Sequence, residues 1–327
     1  MKVPSQLKVW SQMSKQDQIN VIQIFVILPF VLLCIPSSFG RSEQYDTFPS
    51  PFNLLWFVPF FTMIYTLRVI LAENLFLKLG EKIVVYKQEW TPEIRQVRVQ
   101  RFSICFFKAC YFFFTTPMGI LLFRYEDWFP SQLYGKGAQN LDLMWEDFPF
   151  QLPTWKLTFF YCWELGYHFH SLVHHMSSEK RADYFENLLH HVATVFLIVF
   201  SYLNNCGRCG VLVLILHDLV DMIMYFAKSV NDIKTQIPAY ISFALLAYSF
   251  PKFRIYFLGG YLIPAAGGCI KYVPSDLQGG FMVYCLIMSL LCVLLVLHIY
   301  WFFLILQMIY KIVTQKGRIA DPHTVGN

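Results

Sequence analysis

Between Glu179 and Asp232, two apolar runs are joined by the short hinge Asn204-Asn205-Cys206-Gly207-Arg208, and both carry ionisable groups. The first run holds His190 and His191; the second holds His217, Asp218 and Asp221. An imidazole beside a carboxylate is the pairing that fixes one ring nitrogen as the proton carrier and leaves the other free to take a proton or attack a carbon. Asp218 and Asp221 are three residues apart and His217 and Asp221 four, so each pair shares a helix face. The hinge is short enough that the runs are expected to lie antiparallel. At about 1.5 Å of rise per residue, His190 and Asp221 then fall at similar depths. The competing use of such groups is structural, since polar side chains also tie helices together by hydrogen bonds. Two His and two Asp concentrated on adjacent apolar helices favour a catalytic use, because ionisable groups inside lipid are costly and mark function by default.

Other residues qualify for supporting work. Ser201 and Asn204, near the hinge, and His217 are expected to line a substrate site, although a hairpin turn needs such residues anyway. Lys180 and Arg181 are placed to attract the phosphates of a nucleotide-bearing substrate, against the simpler reading of ordinary loop charge. A metal reading competes: His168, His170, His174, His175, His190, His191, His217 and His298 lie in or near apolar runs, and His170-Ser-Leu-Val-His174-His175 looks like one histidine box of a membrane di-iron desaturase or hydroxylase. Against it, no second box with that spacing follows, and adjacent His190 and His191 point about 100° apart on a helix. No metal ligand and no cofactor are expected. Cys206 and Cys209 form a lone C-x-x-C, without the second pair that a zinc site needs.

The elements that must position these groups are membrane helices. The chain of 327 residues is 56% hydrophobic and only 14% charged, with a mean hydropathy of +0.46. Soluble domains carry about 25% charged residues, so this composition describes an all-α integral membrane protein. Apolar runs at 19–35, 54–72, 102–123, 155–173, 184–203, 211–228, 237–258 and 281–310 give eight spans, or seven if the first is a cleaved signal. A charged loop is expected over 73–101 and a Gly/Pro-rich loop from 259 to 280. A cytosolic N-terminus puts the basic 73–101 segment, Lys180-Arg181, Lys228, Lys234 and Lys311 on the cytosolic side, and the acidic 124–154 loop on the other. No basic run points to nucleic acid.

The run K-R-A-D-Y-F, H-H-V-A-T-V-F-L-I, S-Y-L-N-N and R-C-G-V-L-V-L-I-L-H-D-L-V-D resembles the signature of the ceramide synthases, which are TLC-domain membrane proteins. The resemblance extends over roughly 55–315, through Arg68 to Leu79 and Tyr300-Trp301-Phe302. It implies a six-helix bundle or barrel around a central chamber open to the cytosol, with one or two additional N-terminal spans. The corresponding division is an N-terminal segment 1–53, a first conserved span and basic loop 54–101, a TLC catalytic domain 102–311 and a cytosolic tail 312–327. It also implies a reaction: transfer of a fatty acyl group from acyl-CoA, a co-substrate, to the amine of a sphingoid long-chain base. The residues that the family requires map to His190, His191, Asp218 and Asp221. His190 would carry the acyl group or act as general base, with Asp221 orienting it. The resemblance further implies the endoplasmic reticulum membrane, and leaves room for homo- or hetero-oligomers. One departure stands out: Tyr225 occupies a position where the family often has Glu. The runner-up in the same fold is a non-catalytic TLC protein, translocon-associated or lipid-sensing.

Overall fold

The computed structural model describes residues 48–87, 90–137, 140–178, 183–273 and 280–315. The first apolar segment, Lys180-Arg181 and the tail from residue 316 lie outside them. Among the described residues seven long helical segments follow one another. They are α1 (Pro51–Ile83), α2 (Pro92–Phe123), α3 (Trp155–Met176), α4 (Tyr184–Leu203), α5 (Gly207–Val230), α6 (Ile237–Tyr272) and α7 (Gly280–Gln315). Six of them are long and apolar enough to cross a membrane; α3 has 22 residues but carries Glu164 and four histidines, which lower its hydropathy. The described residues contain no β-sheet, only isolated bridges such as that of Val84 with Ile233. The chain is an all-α, multi-pass membrane protein.

Local sequence explains where the helices start. Thr91 and Thr154 accept hydrogen bonds from the backbone N–H groups of Ile94 and Leu157, and Pro92 takes the first turn of α2, where its missing N–H costs nothing. Asn205 takes φ 55° between α4 and α5, a left-handed conformation that Asn tolerates better than most side chains. The expected loops are shorter than their charge implies. The polar stretch 73–101 is mostly helix, split between the ends of α1 and α2, because Glu, Lys and Arg are good helix formers once outside the hydrocarbon. Similarly, α6 continues through Gly259 and Gly260 as far as Tyr272. Within it, Pro251–Leu262 is wound as a π-helix beginning at a proline, whose missing N–H and ring disturb the regular ladder.

The contacts divide the chain into two units. The first contains the described residues up to Thr62 together with Asp147–Gly207 and Cys269–Leu290; the second contains Met63–Glu146, Arg208–Gly268 and the residues from Leu291. The first is built on α3, α4 and the start of α1. Phe57 and Phe61 pack edge-on against Phe169, and Phe60 against Phe159 and Trp163. Gly166 permits this approach, since a Cβ there would meet the Cβ of Phe60 at 2.9 Å and the backbone N of Phe61 at 3.0 Å. In the second unit, Gly80 of α1 packs against Val99 and Phe102 of α2, and Ser103 donates to the carbonyl of Ala72. Buried Arg98 pairs with Asp232 at 3.2 Å and lies over the Trp90 ring. Arg208 donates to the carbonyls of Leu143 and Glu146, which ties the start of α5 to the preceding polar segment.

Gly166→Val is expected to destabilise the protein by about 1–3 kcal/mol, because the added methyls have only backbone and Phe60 to displace. Thermal unfolding of detergent-solubilised protein checks this. An unchanged transition would show that α1 yields at this contact.

Candidate active site

The histidines of the first unit gather on α3 and α4. His191 is half-buried, and its ring centroid is 5.4 Å from that of His175 and 5.6 Å from that of His190. His175 in turn stacks on Tyr184 at 4.7 Å, and its Nε2 is 2.9 Å from the Tyr184 carbonyl oxygen. A carbonyl only accepts, so His175 carries its proton on Nε2. The ring beside His191 is therefore fixed in both orientation and tautomer. His190 accepts on its backbone carbonyl from the Thr194 hydroxyl at 2.8 Å. Deeper in α3, Glu164 and His168, four residues apart and both buried, form a carboxylate–imidazole pair at 3.4 Å. In the histidine-box string, His170 and His174 lie 6.2 Å apart by ring centroid, while His175 turns to Tyr184 and His191.

The carboxylates belong to the second unit. Asp218 is fully buried and Asp221 nearly so. The reading from sequence gives Asp221 to His190. The ion-pair partner that the structure shows for it is Arg254 of α6, with Nη2 2.7 Å from Oδ1. The same Nη2 donates to the His217 carbonyl at 3.1 Å. His217 places Nδ1 2.6 Å from the Val213 carbonyl, so that nitrogen is a donor. Its ring lies 4.9 Å from that of His298, which meets Phe250 edge-on. Arg254, His217, Asp221 and His298 thus form one buried polar cluster on α5, α6 and α7.

The hinge residues have local uses. Ser201 is bonded to the Tyr161 hydroxyl at 3.0 Å and donates to the Ile198 carbonyl. Asn204 donates its side-chain amide to the Phe200 carbonyl at 2.8 Å, satisfying the end of α4. The substrate contacts expected of Ser201 and Asn204 would have to be made from side chains already engaged in this way. Lys180 and Arg181 lie outside the described residues. Sequence reasoning passed over Arg254, and its signal was plain: a lone Arg inside the apolar run 237–258 calls for a carboxylate partner. The Glu164–His168 pair was legible in the same way, from its four-residue spacing in an apolar helix.

Removing Arg254 leaves the Asp221 charge buried without its counter-ion. Arg254→Met is expected to cost about 3–5 kcal/mol of stability, with most of it regained in Arg254→Met/Asp221→Leu, where neither charge remains. Melting temperatures of the two variants in detergent decide it, and a double variant no more stable than the single one would refute this account.

The comparisons agree with the motif. The TLC domain family matches residues 101–307. Ceramide synthase LOH1 of Arabidopsis thaliana is 29% identical over 85% of this chain and 92% of its own length. Alternaria stem canker resistance protein 1 of Solanum lycopersicum is 31% identical over 82% of this chain and 87% of its own length. Ceramide synthase 4 of Mus musculus is 30% identical over 72% of this chain and 57% of its own. With its helical membrane fold, its two histidines on α4 and its two aspartates on α5, the chain belongs to the TLC-domain membrane proteins, within the ceramide synthase family.

Proposed function

We propose that this protein transfers a fatty acyl group from acyl-CoA to the amine of a sphingoid base, yielding ceramide or dihydroceramide and free CoA. The observation that carries the reading is the set His190-His191 and His217-Asp218-x-x-Asp221 on two consecutive membrane helices, in a chain whose relatives bear the name ceramide synthase. In the covalent route, an unprotonated His190 nitrogen attacks the thioester carbonyl, the C–S bond breaks, and the thiolate leaves and takes up a proton. The sphingoid amine then attacks the acyl-imidazole, forms the amide and returns the imidazole. In the general-base route, His190 accepts the ammonium proton, the amine attacks the thioester carbonyl directly, the C–S bond breaks, and the thiolate leaves and takes up the proton that the new amide nitrogen loses. The reading gives Asp221 the charge balance for the imidazolium. Arg254 supports that role, because its guanidinium, 2.7 Å from Oδ1, holds the Asp221 side chain in place. His191 and Asp218 complete the polar set, with His175 fixing the ring next to His191. The same reading puts the protein in the endoplasmic reticulum membrane with the basic ends of α1 and α2 and the C-terminus in the cytosol, where acyl-CoA is met.

Purified full-length protein should form amide from acyl-CoA and a sphingoid base. His190→Ala and Asp221→Ala are each expected to lower kcat at least about 100-fold, the scale of a lost general base or nucleophile. Activity that survives both substitutions would refute the site assignment, and a folded wild-type protein without turnover would favour the non-catalytic TLC reading. Intact mass after acyl-CoA alone separates the routes: a gain of one acyl group marks the covalent one, and an unmodified mass under turnover conditions marks the general base.

A further inference from the structure

Lys252 is exposed on α6, and among the described residues no carboxylate meets it. The polar and ring contacts of its side chain stay on its own helix: the ammonium donates to the Tyr248 hydroxyl at 3.3 Å and stands 5.3 Å from the centres of the Tyr248 and Phe253 rings. Tyr256 follows one turn later. Its hydroxyl is bonded to that of Tyr261 at 2.7 Å, a five-residue spacing that the π-helical winding of Pro251–Leu262 brings together. Tyr248, Tyr256 and Tyr261 are exposed like Lys252. The buried residues of the same segment include Phe253, Phe257 and Arg254, the partner of Asp221.

A lysine exposed within a helix of spanning length is costly unless its ammonium reaches polar groups. The polar stretch 231–236 precedes Ile237, so the hydrocarbon begins there. From Ile237 to Lys252 is about 22 Å of helix, short of the far edge of a core about 30 Å thick. The lysine stem is long enough to carry the ammonium out to the headgroups of that leaflet. Tyr256 and Tyr261 then fall at the same interface, where tyrosine is enriched. What this face offers is donors. Tyr248 accepts from Lys252 and keeps its own proton to give; in the Tyr256–Tyr261 pair one hydroxyl donates to the other, which likewise keeps one. An ammonium with hydroxyl donors fits the oxygens of a phosphate. A second copy of the chain fits less well: α6 contains no Asp or Glu, so two such faces would set lysine against lysine. The chain's own apolar segment 19–35 has no carboxylate either.

We propose that Lys252 and Tyr248, with the Tyr256–Tyr261 pair, bind the phosphate of an anionic membrane phospholipid on the exposed face of α6, and that the bound lipid braces the segment that presents Arg254 to Asp221. The test uses full-length protein, stripped of lipid in a neutral detergent. It is titrated with dioleoylphosphatidylglycerol, or with dioleoylglycerol, which has the same chains and no phosphate. Native mass spectrometry counts bound lipid, and a thermal scan reads stability. The wild type should take up the phospholipid, melt at a higher temperature with it, and gain nothing from dioleoylglycerol. In Lys252→Gln the apparent Kd for the phospholipid should rise about fivefold or more, the scale of one basic residue lost at an anionic lipid surface, and the rise in Tm should shrink with it. Lys252→Arg, which keeps the charge, should stay within about twofold of wild type. Lys271→Gln removes the other lysine of α6, also exposed, and should leave the Kd unchanged. An unchanged Kd in Lys252→Gln, an equal loss in Lys271→Gln, or equal uptake of dioleoylglycerol overturns the inference. So does a Lys252→Gln variant that changes only its oligomeric state, which assigns the face to a second copy. A phospholipid that binds through Lys252 without raising Tm overturns the bracing. If Lys252→Gln does not fold, Lys252→Met, whose apolar side chain suits a lipid-facing position, carries the same comparison.

Discussion

Arg254 and Asp221 meet at 2.7 Å, both buried within membrane helices, where an unpaired charge is costly. Each group alone would be expelled from such a setting or neutralised, so each requires the other. The guanidinium also donates to the His217 carbonyl and lies over Phe250, and His298 joins the same cluster through both His217 and Phe250. One ion pair therefore connects α5 to α6, and the rings around it bring in α7. The π-helical winding from Pro251 to Leu262 contains Arg254, and departures of this kind from regular winding recur at functional sites.

A different device serves the histidines of the first unit. Around His175 and His191 the neighbours are imidazoles and aromatic rings, and the Tyr184 carbonyl dictates which His175 nitrogen carries a proton. His175 is fixed by Tyr184, and His191 lies against it. Asp221 is held by an ion pair, and His175 by hydrogen bonding and stacking.

Much of the fold was legible from composition and apolar run length, which mark the helical stretches without reference to their neighbours. The limits of the helices were less legible. The stretches 73–101 and 259–280 read as loops because charge, Gly and Pro usually mark them, yet most of both is helical. Helix formation depends on backbone bonding that continues past the hydrocarbon edge, whereas hydropathy reports only that edge. At Asn204 and Ser201, residue type leaves the local duties of the side chains unread. Their residue types fit a binding site, while their hydrogen bonds serve the end of α4 and the packing of Tyr161.

By itself the sequence determined that this is a helical membrane protein, that its costly polar groups cluster around one hinge, and that their spacing matches one family. Those properties follow from the kind and order of residues along the chain. Only the tertiary structure decided which partner each group takes: Arg254 for Asp221, His298 for His217, His175 for His191, and Tyr225 for Lys108. These pairs, apart from His175 and His191, join residues from 33 to 117 positions apart, from Arg254 and Asp221 to Tyr225 and Lys108. Periodicity reaches only the next turn of the same helix, so pairing across helices is set by how their side chains pack.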